Sequence, residues 1–300
     1  MVIIMIIIQM AGGLGNQMFQ YALYRQLISM GKIVKMDDEV GFKEDAQRNP
    51  ALASFGIAYE RASRKEIIRM TDASMFPPAR IRRKLFGRHN HSYFEENKLF
   101  QAKIFEWDNV YLEGYWQSEK YFSDVAETLK KEFALESIDG LSAQAKERLQ
   151  EIEQTRSVSI HIRRGDYLLP QNQVLFGDIC TELYYEKAMK MITDRHPNVT
   201  FYLFTNDSEW AKGWMERYAG QSADGKSYRI VPIDWTGAKD YELLTLMSYC
   251  KHNILANSSF SWWASYLNEN PDKMVVAPDK WLNGWDCSDI YRKDMTIVNG

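Results

Sequence analysis

The sequence predicts an α/β protein of two Rossmann-like halves, residues 1–150 and 151–300. The chain opens with an apolar run, a glycine-rich turn and a helix-spaced pattern. A strand–turn–helix rhythm returns after residue 150 and repeats to the end, and a polar Gln/Glu-rich stretch at 138–155 separates the two halves. A chain of 300 residues is long enough for two domains of about 150 residues each.

In order, Ile3 to Gln9 reads as the first strand. Met1 to Ile8 is apolar but too short to span a bilayer. No cationic segment precedes it and no small-residue cleavage site follows cleanly, so a buried parallel strand explains it. Ala11-Gly12-Gly13-Leu14-Gly15-Asn16-Gln17 follows, and a helix starts near Gln17, with Phe19, Leu23, Leu27 and Met30 at helical spacing. Gly31 sits where a C-terminal left-handed residue belongs. Lys32 to Met36 is a second strand. Gly13 and Gly15 suggest backbone in close approach to something at a helix N-terminus that favours anions. The spacing is neither GxGxxG nor a Walker loop. A tight βα turn and a ligand site fit it equally, and the amides of Asn16 and Gln17 would suit sugar hydroxyls.

Residues 49–105 read as a peripheral, partly helical insertion on the acceptor side, broken at Pro77-Pro78. The basic run Arg80-Ile81-Arg82-Arg83-Lys84, with Arg88 beyond, fits either contact with an anionic membrane surface or a solvated helix face. Val110 to Trp116 is a strand in which Gly114 permits close approach, and Ser123 to Phe133 an amphipathic helix.

The central stretch of the second half is Ser157 to Tyr167. Val158, Ile160 and Ile162 alternate with Ser159 and His161, and the strand runs into Arg163-Arg164 before the turn pair Gly165-Asp166. Simple alternation places His161 and Arg163 on one face, opposite Ile160 and Ile162. Two guanidiniums and an imidazole at a strand mouth suit a polyanion. Further strands are read at Val199–Thr205, Tyr228–Ile233, Asn253–Ala256 and Lys273–Ala277, and helices at Leu183–Arg195, after Ser208, at Glu242–Cys250 and at Phe260–Leu267, before an aromatic-rich tail. Trp210 and Trp214, one turn apart, read as core. Asn206, Asp207 and Ser208 follow one strand, and Asn257, Ser258 and Ser259 another. Each group alone could be a helix cap. Together with His161 to Asp166 they predict a nucleotide pocket, its serine pair and helix N-terminus facing phosphate.

The net charge of −3 argues against a nucleic-acid binder. Cys180, Cys250 and Cys287 lack metal-ligand spacing and fit a reducing cytoplasm.

The motifs GGLGNQMFQYA (Gly12 to Ala22), HIRRGDY (His161 to Tyr167), YLFTND (Tyr202 to Asp207) and NSSFSWWA (Asn257 to Ala264), in this order, resemble those of the α-1,2-fucosyltransferases of bacteria and the animal Golgi. The resemblance covers most of the chain outside 49–105. It implies a GT-B fold, two Rossmann-like domains with parallel sheets facing across a cleft. It also implies an inverting enzyme that moves L-fucose from GDP-β-L-fucose to the 2-hydroxyl of a terminal β-galactoside. His161 and Arg163 would bind GDP with Arg164, Asn206 or Asp207 would lie near guanine, Ser258 and Ser259 would touch phosphate, and Asn257 and Phe260 would belong to the donor site. The loop with Gly13, Gly15 and Asn16 would face the reaction centre. No transmembrane anchor like that of the animal members is visible, so the expectation is a bacterial cytoplasmic enzyme, peripheral at most to the inner membrane.

Charge gathers on the leaving GDP during such a transfer. No two aspartates stand at i and i+2 to hold a metal, so arginines and a helix N-terminus are expected to serve, with no cofactor and no metal. The acceptor hydroxyl needs a base. Asp166 is the first candidate and Glu113 the second, though Asp166 could instead brace Arg164 or cap its turn.

Overall fold

Three consecutive isoleucines begin the fold: Ile6, Ile7 and Ile8 of β1 (Ile6–Gln9) are all buried, as a strand covered on both faces requires. The computed structural model describes residues 4–43, 45, 48–87, 91–134, 138–219, 228–233 and 237–300. The chain divides into two compact units, 1–132 with 288–290 and 133–287 with 291–300.

In the first unit, α1 (Leu14–Ser29) starts earlier than the spacing suggested. Gly13 is its extended N-cap, and its carbonyl accepts from the backbone amides of Asn16 and Gln17 at 2.9 and 3.1 Å. Gly31 takes the left-handed conformation (φ +80°) just past the helix end. The remaining elements are β2 (Val34–Asp37), α2 (Arg64–Thr71), α3 (Pro77–Phe86), β3 (Ser92–Phe94), β4 (Val110–Glu113) and α4 (Ala126–Phe133), the last of which ends at the divide between units. A capping box opens α2: the Ser63 and Glu66 side chains each accept from the other's backbone amide, at 3.3 and 2.7 Å. The sheet is parallel throughout, in the order β2-β1-β4-β3.

Residues 49–105 are therefore no peripheral insertion. They supply the edge strand β3, and α2 places Ile67 and Met70 in one core with Met5, Ile7 and Tyr111. The short β3 and its polar surroundings leave too weak a periodicity to read. Of the basic run, Arg80 to Lys84 lie on α3, and Arg88 lies outside the described residues.

The second unit contains α5 (Ala143–Gln154), β5 (Ser157–Ile162), α6 (Pro170–Phe176), α7 (Glu182–Arg195), β6 (Thr200–Thr205), α8 (Ser208–Ala219), β7 (Arg229–Ile233), α9 (Asp240–Tyr249), β8 (His252–Ile254), α10 (Ser259–Leu267), β9 (Val275–Pro278) and β10 (Met295–Val298). Its six parallel strands run β10-β9-β8-β5-β6-β7, with the order reversing between β5 and β8. The tail adds strand β10 to the sheet, which its aromatic content concealed.

The units part at Glu132–Phe133 rather than near residue 150. The polar stretch 138–155 holds the amphipathic helix α5, which belongs with the second sheet: the Ser142 amide ahead of it donates to Glu242 Oε1 of α9 at 2.7 Å.

The two faces of β5 differ in kind. Val158, Ile160 and Ile162 pack with Tyr184, Tyr185, Phe201, Leu203 and Trp214, each aliphatic side chain contributing about 1.5–3 kcal/mol on burial. The opposite face is polar and buried. There Asn253 Nδ2 donates to Ser159 Oγ (2.8 Å) and to the Met247 carbonyl (2.9 Å), and Asn268 Nδ2 donates to Asn253 Oδ1 (2.7 Å). Such groups are tolerated because they are paired.

Gly114 follows β4 as a true close approach: a Cβ there would stand 2.6 Å from Glu95 Cβ and 3.0 Å from the Trp116 ring. Gly114→Ala is expected to cost about 1–3 kcal/mol, seen as a lower chemical-denaturation midpoint with an unchanged slope. An unchanged midpoint would show that this contact yields freely.

Candidate active site

In a doubly wound sheet the ligand crevice lies outside the carboxyl ends of the two strands at which the order reverses. In the second unit these are β5 and β8, so the loops Arg163–Tyr167 and Asn257–Ser258 flank it. The Tyr167 hydroxyl ties them, donating to the Asn257 carbonyl at 2.9 Å. The buried Asn257 side chain donates to the Trp281 carbonyl (3.1 Å) and accepts from Cys180 Sγ (3.5 Å), which pins the β8 loop to the tail and to the start of α7.

Two arginines leave β5, and each meets its own carboxylate. Arg163 pairs with Asp166 at 2.9 Å, and its guanidinium lies 5.8 Å from the Tyr167 ring centroid. Arg164 donates from Nε to Asp207 Oδ2 at 3.1 Å and stacks on Trp210, 4.4 Å from the ring centroid. Asp207 also caps α8, its Oδ1 accepting from the Trp210 amide at 3.1 Å. Asn206 Oδ1 accepts from the Arg164 backbone amide at 3.0 Å. Gly165 (φ +39°) lets this loop close, since a Cβ there would lie 2.3 Å from Asn206 Nδ2. Asn206 and Asp207 thus position the arginine turn. The Asp166 carboxylate braces Arg163 rather than Arg164.

A cavity of about 330 Å³ opens beside this turn. Arg163, Arg164, Tyr167, Gln173, Glu182, Trp210 and Asn257 are among its lining residues. Ile162 lines it too, and His161 does not. β5 ends at Ile162, and the backbone turns through Arg164 (φ −128°, ψ −113°).

His161 is buried on the polar face, 5.8 Å from Phe260 between ring centroids. Burial above all, and then the charge of Arg163, push its pKa down to about 3. The imidazole is neutral at working pH and adds no positive charge for a polyanion, which the two guanidiniums supply. Ser258 is the N-cap of α10, its Oγ accepting from the Phe260 amide at 3.3 Å, and Ser259 is the first helical residue.

In the first unit the strand order reverses between β1 and β4. Gln20 bridges the two strand ends: Oε1 accepts from the Ala11 amide (3.0 Å) and Nε2 donates to the Gly114 carbonyl (2.8 Å). Gln17 holds the following segment, donating to the Gly12 and Asn49 carbonyls and accepting from the Ala51 amide, all within 3.0 Å. Asn16 Oδ1 accepts from Gln117 Nε2 at 2.8 Å. Gly12 is left-handed (φ +78°), Gly13 is the side-chain-free cap and Gly15 is buried in the first turn of α1. Buried Glu95 fixes the loop after β4, accepting from the Tyr115 and Trp116 amides at 3.1 and 3.2 Å. Glu113, at the end of β4, has its carboxyl pKa raised by burial first and by the charge of Asp37.

Tyr167 and Trp210 were not singled out as ligands from the sequence. The signal for Trp210 was its place in the first turn after a polar strand end, set against a bulk that suggested core.

The family description "Glycosyl transferase family 11" matches residues 2–298. The chain belongs to that family. Its relatives include the α-1,2-colitosyltransferase of Escherichia coli, 31% identical over 94% of this chain and 95% of that one. The O-antigen biosynthesis glycosyltransferase WbnK, also of Escherichia coli, is 30% identical over 92% and 94% respectively. The galactoside α-(1,2)-fucosyltransferase 1 of Pan troglodytes is 27% identical over 85% of this chain and 63% of its own. The motifs that suggested the resemblance thus belong to a family 11 glycosyltransferase, and the paired arginines lie within the matched region. Among the described residues, no helix is long and apolar enough to cross a membrane.

Because the folded-state pKa of His161 lies far below the ordinary histidine value, the unfolded chain takes up a proton first as the pH falls. Its contribution to stability is full above about pH 6.5 and is lost as the pH falls toward 3. The urea midpoint of this glycosyltransferase should therefore drop on acidification. His161→Gln should flatten the stability curve between pH 6.5 and 4 by up to about 1.4 kcal/mol per pH unit. Parallel curves for the two proteins would contradict the assignment.

Proposed function

We propose that the protein transfers L-fucose from GDP-β-L-fucose to the 2-hydroxyl of a terminal β-galactoside, with inversion, giving an α-1,2 linkage. The observation that carries the reading is the pair Arg163–Asp166 and Arg164–Asp207 at the switch point of a family 11 chain. The curated relatives supply the linkage: one is named an α-1,2-colitosyltransferase and another a galactoside α-(1,2)-fucosyltransferase. Colitose is the second reading for the donor sugar, favoured by the match of 31% over nearly the full length of both chains. We place the enzyme in the cytoplasm, a reading supported by Cys180, Cys250 and Cys287, which form no disulfide among the described residues.

In this reaction the bond between the anomeric carbon and the β-phosphate oxygen breaks with its electron pair going to GDP. The acceptor oxygen bonds to the opposite face of that carbon, and its proton passes to a base. A guanidinium fork at the β-phosphate gains strength as the phosphate gains charge. Arg163 is placed to supply it, and Asp166 to hold Arg163 in aim. Asp166 then acts as a positioning residue.

The deciding assay offers GDP-fucose and GDP-colitose to a panel of lactose and type 1, type 2 and type 3 disaccharides, with products read by NMR. An α-1,2-fucosylated galactoside is expected. GDP binding without turnover would mean a binding module, and an α-1,6 or O-peptide product a different transferase.

Arg163→Ala should lower kcat/KM about a hundredfold or more, with Lys restoring little of it and the ligand-free melting temperature unchanged. Retention of a third of the wild-type rate would remove Arg163 from the site. Asp166→Asn should weaken GDP binding and kcat together; a loss of kcat with GDP affinity intact would make Asp166 the base for the acceptor hydroxyl instead. Since arginines neutralise the leaving group, turnover should survive excess EDTA; a loss that Mn²⁺ or Mg²⁺ repaired would overturn metal independence.

A further inference from the structure

We propose that α3 is an interfacial helix that seats the protein on an anionic lipid bilayer, an inference independent of which sugar is transferred. The sequence segregates charge sharply here. Residues 73–94 carry five Lys or Arg (Arg80, Arg82, Arg83, Lys84, Arg88) and no Asp or Glu, in a chain of net charge −3.

The structure divides the four cations on α3 into two sets. Arg82 pairs with the Asp72 carboxylate, and Arg83 donates to the Asp72 and Ser74 carbonyls at 2.9 and 2.6 Å, so this side of the helix is bound to its own unit. Arg80 and Lys84, one turn apart, are exposed. Beside them Ile81 and Leu85, also one turn apart, are 61% and 69% exposed. Met75 and Phe76 before the helix and Phe86 at its end are exposed as well, and no residue of α3 is buried.

An apolar ridge edged by a cationic row, on a helix about 15 Å long, matches a surface whose outer layer is anionic and whose next layer is hydrocarbon. A protein partner would need an apolar groove lined with acids. A bilayer of anionic lipid offers both features without shape matching, and the ring and aliphatic tips at positions 76, 81, 85 and 86 have the length to reach its acyl boundary. The tethers to Asp72 and Ser74 hold the helix in place beforehand, so docking need not order it.

The test uses the full chain and sedimentation with vesicles. The protein should bind vesicles of phosphatidylglycerol and phosphatidylcholine, bind pure phosphatidylcholine far less, and be released by salt. The double variant Arg80→Glu, Lys84→Glu should reduce binding about tenfold or more. Ile81→Ser with Leu85→Ser should also reduce it while leaving the charge unchanged. Both variants should keep the wild-type melting temperature and turnover on a soluble galactoside. The proposal fails if the protein ignores anionic vesicles at low salt, or if neither variant alters binding. It fails equally if the serine variant changes the oligomeric state in solution, which would mean that a second copy covers the ridge.

Discussion

Two adjacent guanidiniums at one strand end repel each other, and the arrangement around β5 follows from that constraint. Like charges brought to one strand end disfavour each other, the more so where water is partly excluded. Asp166 and Asp207 answer the cost separately, one for each arginine. Because the carboxylates come from different loops, the β5 turn and the β6 end must be held together. Asn206 and the left-handed Gly165 do this. The local geometry is thus set by charge before any ligand arrives, the condition under which electrostatic stabilisation of a leaving group costs no reorganisation at the moment of reaction.

The carboxylates also limit that stabilisation. A guanidinium fully satisfied by its own protein has little left to offer a phosphate, and one left bare at a strand end would be disordered. Arg163 and Arg164 are each about a quarter exposed, with one carboxylate partner apiece in the bonds described above. That balance favours an incoming polyanion, which can add to the carboxylate or displace it. It also explains why Trp210 matters: stacking holds the plane of the Arg164 guanidinium without consuming its hydrogen-bond donors.

The strands with strong apolar alternation or β-branched runs were legible, and so were their polar ends, because burial on both faces and the turn chemistry after a strand both mark the sequence. β3 and β10 were not, since three or four residues at a sheet edge carry little period and lie among aromatic or basic neighbours. The candidate residues at the ends of β5, β6 and β8 could be named from the sequence, but not what each of them does. Asn206, Asp207, Asn257 and Ser258 have the same side chains whether they touch a ligand or tie a loop. Only the fold shows that each makes an internal bond. Strand alternation carries as far as Ile162, where β5 ends, so it does not by itself fix the direction of Arg163.

The neutral state of His161 ties these strands of argument together. Were the imidazole charged, a third cation would sit behind the two arginines in the low-dielectric interior. Burial against Phe260 prevents that by holding the ring neutral, and the nearby charge of Arg163 acts in the same direction. The strand therefore carries a polar but uncharged group where the sheet is deep and reserves full charge for the residues past its end, where the cavity opens. The order His161, Arg163, Arg164 along the chain is a gradient from interior to solvent. The same three residue types in another order would bury a guanidinium and expose the imidazole, which would lose both the stability of the sheet and the cationic mouth.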